Sequence, residues 1–158
     1  VNNKAQSQID ICDKFIRPTI EASGWADSSQ MYREYALRTV QFVVRGRQAW
    51  REAPTVLRAD YALFFKTNIP LVVDEAKDNN QAMVAGMPQA SNCAQLLDVL
   101  FSLASKGDGF IFRDATLSDD VLERNLTLDE FPLPGALWSR HYARKSWARN
   151  NRRITEHE

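Results

Sequence analysis

Apolar residues recur at helical spacing near the start of the chain. Ile9, Cys12, Ile16 and Ile20 lie three or four residues apart, which predicts a helix over 4–22 with these side chains on its core face. Pro18 either kinks that stretch or starts a second short helix, and Gly24 closes it as a C-terminal cap. From residue 32 the pattern changes. "YREYALRTVQFVV" (32–44) reads as strand, in one or two pieces, "RGR" (45–47) as a turn, and 48–57 as loop. Two apolar runs, 59–65 and 71–76, follow as strands. "KTNIP" (66–70) joins them, with Asn68 and Pro70 as turn residues. So short a connection makes an antiparallel hairpin.

"DNNQAMVAGMP" (78–88) is polar and flexible in composition, and 89–97 returns to a helical pattern. "LFSLA" (100–104) reads as a strand, "SKGDG" (105–109) as a tight turn and "FIFRD" (110–114) as the strand that pairs back. "VLERNLT" (121–127) adds an outer strand. Pro134 starts a last helix through residue 147, since proline suits the first helical turn, with Leu137, Trp138 and Tyr142 as its core stripe. Helices before, between and after strands argue for an α/β fold, a mixed, mainly antiparallel sheet flanked by helices. The length of 158 residues suits one domain with a real core.

The hairpin carries side chains that a plain core strand would not. Successive residues of a strand face opposite sides, so Val73, Glu75 and Lys77 share one face, and Val72, Asp74 and Ala76 the other. Asp60 lies on the neighbouring strand. Two acids and an amine therefore converge at one end of the hairpin, with Asp74 turned away. Paired carboxylates repel unless a cation sits between them, and hard oxygen ligands with retained waters suit Mg²⁺, or Mn²⁺. A nearby lysine can stabilise charge building on a phosphate. Metal-assisted phosphodiester hydrolysis needs this combination. Spacing alone favours a plainer reading, an ion pair of Lys77 with Glu75 or Asp60 at the sheet's edge.

Composition narrows the alternatives. Cys12 and Cys93 are the only cysteines and His141 and His157 the only histidines. That disfavours a zinc centre, a disulfide framework or a Ser-His-Asp mechanism, and fits a reducing cytoplasm. No apolar run approaches the roughly 18 residues of a membrane span, so no membrane partner is expected. Acids and bases balance at 20 each, so tight unaided DNA binding is not expected. "RHYARKSWARNNRRI" (140–154) is locally basic and reads first as a solvated helix face. No G-x-x-x-x-G-K-[ST] loop occurs for ATP.

The order of "DICDKFI" (10–16), "GW" (24–25), "REY" (33–35), "RADYALFFKTNIPLVVDEAK" (58–77), "AGMPQA" (85–90), "GDGF" (107–110) and "LDEFPLPGALW" (128–138) resembles the N-terminal nuclease domain of the R (motor) subunit of type I restriction enzymes, within the PD-(D/E)xK nuclease superfamily. The resemblance implies a restriction-endonuclease-like fold. It makes Asp60 and Glu75 metal ligands, and Asp60, Glu75 and Lys77 the catalytic set. Gln89 matches the glutamine opening a Q-x-x-x-Y motif that contacts the site or DNA, and Cys93 stands where that motif has tyrosine. Gln8 stands where related chains often carry a glutamate facing the metal, an auxiliary position. Arg58, two residues before Asp60, is placed either to meet a scissile phosphate or as a surface charge.

The expectation is therefore an Mg²⁺-dependent endonuclease domain of a type I restriction-modification complex. The chain begins with Val1 and is read as one nuclease domain over 1–158, the N-terminal fragment of a larger motor subunit. Its expected partners are double-stranded DNA, the specificity and methyltransferase subunits, and its own downstream helicase domains. ATP would act only through those domains. The rival readings are a docking or DNA-guiding module on the same scaffold and a stand-alone repair or junction nuclease.

Overall fold

The structure is a computed structural model that describes residues 7–38, 42–45, 47–51, 56–78, 80–117 and 123–155. The chain opens with α1 (Gln8–Ile11), which runs through a π turn (Cys12–Ile16) into α2 (Arg17–Ala22). The short α3 (Asp27–Gln30) then leads into β1 (Met31–Arg38). β2 (Phe42–Arg45) and β3 (Gln48–Arg51) form a separate two-stranded sheet. β4 (Val56–Lys66) and β5 (Ile69–Ala76) form the central hairpin. A 3₁₀ turn (Met83–Gly86) and α4 (Met87–Leu97) cross over to β6 (Phe101–Lys106), β7 (Gly109–Asp114) and β8 (Glu123–Leu126), and α5 (Pro134–Thr155) ends the described chain. The main sheet has six strands in the order β1-β4-β5-β6-β7-β8. Its pairs are antiparallel except β5–β6, the pair that the α4 crossover joins. This is the expected mixed, mainly antiparallel sheet flanked by helices.

Both faces of the sheet are covered. Val72 belongs to a large core with Ile11, Ile16, Trp25, Tyr61, Phe101, Phe112 and Leu137. Its neighbour Val73 points the other way, into a second core with Leu37, Ala59, Cys93 and Val99 beneath α4. Each fully buried large apolar side chain contributes roughly 1.5–3 kcal/mol, so these two layers fix the hairpin between them. No helix among the described residues is long and apolar enough to cross a membrane.

Several boundaries differ from the sequence reading. Ile9 is 68% exposed, and Ile11 takes its place in the core. The π turn, in which the Arg17 N–H reaches back to the Cys12 carbonyl, inserts a residue and shifts the phase of the stripe just ahead of Pro18. Residues 48–51 are strand rather than loop, because they pair with β2. The β4–β5 turn is only Thr67–Asn68, with Asn68 left-handed at φ 65°. Pro70 is a strand residue opposite Phe64, at a register shift where a missing N–H is tolerated. The helix expected from residue 89 starts at Met87, with proline in its first turn. α5 runs past residue 147 to Thr155. Leu137 is buried and Trp138 stacks on Phe65 at 4.6 Å, but Tyr142 is exposed rather than core.

Candidate active site

The site forms where the β4–β5 ladder stops. Pairing runs from Lys66↔Ile69 up to Tyr61↔Asp74 and no further. The next residues, Asp60 and Glu75, lie in the fork that opens there. β5 remains paired on its other side, with Glu75 opposite Ala104 and the Lys77 N–H donating to the Ser105 carbonyl at 2.9 Å. On the β4 side the Ala76 N–H has no backbone acceptor in that ladder. The Asp60 carboxylate supplies one: Oδ2 accepts from Ala76 N–H at 2.7 Å and from Gln8 Nε2 at 2.9 Å. The first helix, the fork and Asp60 are thus tied at a single oxygen.

Glu75 is buried at 4% exposure, and Lys77 Nζ donates to its Oε1 at 3.1 Å. Its Oε2 is buried with no hydrogen-bond partner. Burial, and then the charge of Asp60, pushes the Glu75 carboxyl up to about 7, with Lys77 opposing the shift. Asp60 is also raised, by burial first, against the Ala76 N–H, Lys77 and Gln8. An orphaned carboxylate oxygen and two acids held above their ordinary range are what a cation would relieve. Among the described residues, no group of three His, Cys, Asp or Glu side chains converges as a metal cage. Two carboxylates completed by water fit a hard divalent ion nonetheless.

The structure brings Asp60, Glu75 and Lys77 together, as the strand alternation implied. Asp74 does face away. It is fully buried, accepts a hydrogen bond from Ser105 Oγ at 2.9 Å, and is held well above the ordinary carboxylate range by burial. Gln8 reaches the site as a hydrogen-bond donor to Asp60, not with its carbonyl oxygen. Gln89 donates from Nε2 to the Arg58 carbonyl at 3.1 Å, so its contact is with the β4 backbone beside Asp60. The Arg58 side chain is exposed. Cys93 is a packing residue of the second core.

Two residues that the alternation did not single out also belong here. Gly86 packs its backbone on the site. A Cβ there would lie 3.3 Å from the Glu75 carbonyl oxygen and the Ala104 Cβ, and 3.4 Å from Lys77 Cε. Its only sequence signal was a glycine in "AGMPQA". Glu34, inside "REY", shares a cavity of about 360 Å³ with Gln8, Cys12, Arg33 and Asp60.

A six-stranded mixed sheet forked to hold two carboxylates and a lysine is a restriction-endonuclease-like fold. Comparison with known proteins agrees. The chain is 44% identical over 135 residues, 85% of its length, to the type I restriction enzyme EcoAI endonuclease subunit of Escherichia coli. A fragment structure assigned to an HsdR subunit of a type I restriction enzyme from Vibrio vulnificus YJ016 superposes with a TM-score of 0.71. It is 27% identical, over 89% of this chain. No family model matches the chain. The chain spans 16% of the E. coli relative and 26% of the Vibrio one. It belongs to the HsdR family of type I restriction enzyme subunits, as an N-terminal domain of that subunit.

Proposed function

We propose that this domain is the DNA-cleaving part of a type I restriction subunit, hydrolysing phosphodiester bonds at the fork that holds Asp60, Glu75 and Lys77. The observation that carries the reading is the buried Glu75 carboxylate, with one oxygen on Lys77 and the other without a partner, facing the charge of Asp60. Asp60 and Glu75 would hold a divalent cation, Mg²⁺ or Mn²⁺. When bound, that ion supplies Lewis-acid polarisation of a phosphate oxygen and a more acidic water.

The chain's own groups do the rest. The Ala76 N–H and Gln8 fix the Asp60 carboxylate in the fork. The Gly86 turn walls the Lys77 stem against β5, which keeps the ammonium at Glu75. That ammonium is placed to stabilise negative charge on a phosphate as water's oxygen bonds to phosphorus and the ester P–O bond breaks. Gln89 braces the Arg58 backbone, leaving the Arg58 side chain in solvent, where it can meet a phosphate.

The substrate is double-stranded DNA delivered by the rest of the assembly. The specificity and methyltransferase subunits would choose the DNA, and the downstream helicase domains would use ATP to move it. The chain's balanced charge supports this division, because a neutral domain holds DNA weakly at physiological salt. The test is cleavage by the reconstituted enzyme carrying Asp60→Asn: loss of cleavage with ATP hydrolysis retained supports the assignment, and parental cleavage rejects it.

A further inference from the structure

Among the described residues, three non-glycine residues have positive φ: Glu34 at 47°, Asn68 at 65° and Asp98 at 54°. Asn68 sits in a hairpin turn and Asp98 caps a helix, where left-handed backbone is ordinary. Glu34 is inside strand β1, and glutamate gains nothing locally from that conformation. The β1–β4 register runs from Met31↔Leu63 to Arg33↔Tyr61, then resumes at Tyr35↔Ala59. The one position skipped is Glu34 opposite Asp60.

Both strands change faces at that point. Before it, Met31, Tyr61 and Leu63 pack in the large core, and Arg33 lies over the Tyr61 ring. Beyond it, Leu37 and Ala59 are in the second core, with Tyr35 and Leu57 packed against it. Strict alternation would put all these odd-numbered residues on one side. The ribbon therefore turns over at Glu34 and Asp60. Local ladder breaks of this kind re-aim side chains beside active sites.

We propose that Glu34 is a positioning residue. Its left-handed backbone turns the β1–β4 ribbon over and so points the Asp60 carboxylate into the β4–β5 fork, onto the Ala76 N–H. This rests on the reading of Asp60 as a site residue, but the device is a property of the backbone and has its own readout.

That readout is hydrogen exchange of the segment 72–77, measured by mass spectrometry in the full-length subunit without metal. Asp60→Ala removes the acceptor of the Ala76 amide and marks the rate of an open fork. Glu34→Gly and Glu34→Asn tolerate left-handed backbone and should keep the segment protected. Glu34→Ala, which pays the same left-handed cost as glutamate, should match the parent, and Glu34→Val, β-branched, should exchange faster, by about tenfold over the parent. The effect should be confined to this segment and to residues 58–61. If Glu34→Val fails to fold, Glu34→Thr, β-branched but polar, decides in the same direction. Protection that follows charge instead, kept in Glu34→Asp and lost in Glu34→Gly, would overturn the proposal. So would equal protection in all variants. Asp60→Asn cutting DNA normally would sink the cleavage assignment while leaving this ordering intact.

Discussion

Lys77 Nζ lies 3.1 Å from Glu75 Oε1 on the same face of β5, with the two side chains only 15% and 5% exposed. The ion pair that the spacing favoured and the catalytic pair that the family resemblance implied are thus the same contact. Its burial changes what a melting curve can say. Removing one partner of a buried pair strands the other, so a stability loss on its own does not argue against catalysis.

Lys77→Ala should destabilise the metal-free protein most at alkaline pH, by roughly 3–5 kcal/mol where Glu75 must stay charged. The loss should shrink at about pH 6, where Glu75 takes up a proton instead. Urea melts at the two pH values check this. A loss that is the same at both would mean Lys77 does not neutralise Glu75.

The parent should show its own pH dependence. Glu75 is pushed up from an ordinary 4.5 to about 7, and Asp60 and Asp74 shift in the same direction, burial first in each case. A raised acid keeps in the fold a proton that the unfolded chain has released, so stability falls as pH rises from 4.5 towards 7. Without metal the decrease due to Glu75 is of order 3 kcal/mol. Millimolar Mg²⁺ should flatten it by binding the ionised form. Metal-free stability that rises over that window would contradict the electrostatics of the fork.

Asp60→Asn should weaken Mn²⁺ binding in calorimetry by at least about tenfold, since a charged oxygen ligand is lost. Asparagine's carbonyl can still accept the Ala76 N–H, and repulsion with Glu75 is relieved. The variant should therefore melt at or above the parent temperature in the absence of metal. Undiminished affinity would place the cation elsewhere.

Much of this was legible because the hairpin obeys simple rules. Alternation along β5 brought Glu75 and Lys77 to one face and turned Asp74 to the other, and the structure keeps that geometry. The short connector gave the antiparallel pairing, and helices between strands argued for a mixed sheet, whose one parallel pair the structure places at β5–β6. What was not legible depends on partners far along the chain or on backbone states without a composition signal. Ile9 left the core because a π turn shifted the helix phase. β3 was missed because its pairing with β2 decides its state. Glu34 in left-handed backbone has no signature, since glutamate is not a residue that favours it. Gln8 appeared as a candidate ligand, and only the fold shows it donating to Asp60.

The proposed dependence on a motor makes a separate prediction. With 20 acidic and 20 basic side chains, this domain should show weak affinity for duplex DNA with a shallow salt dependence, since few phosphates are neutralised. Cleavage by the full enzyme should need ATP as well as metal. Rapid ATP-independent cutting by the domain alone would favour a stand-alone nuclease.

The most direct measurement is plasmid cleavage by the assembled enzyme carrying Lys77→Ala, run beside ATP hydrolysis and translocation at a temperature where the variant is fully folded. Loss of a positioned electrostatic group commonly costs ~100- to 1000-fold in rate. Cleavage should fall by that order while ATP hydrolysis and translocation continue. A folded Lys77→Ala enzyme that cuts DNA at the parental rate would contradict the assignment of this fork as the hydrolytic site.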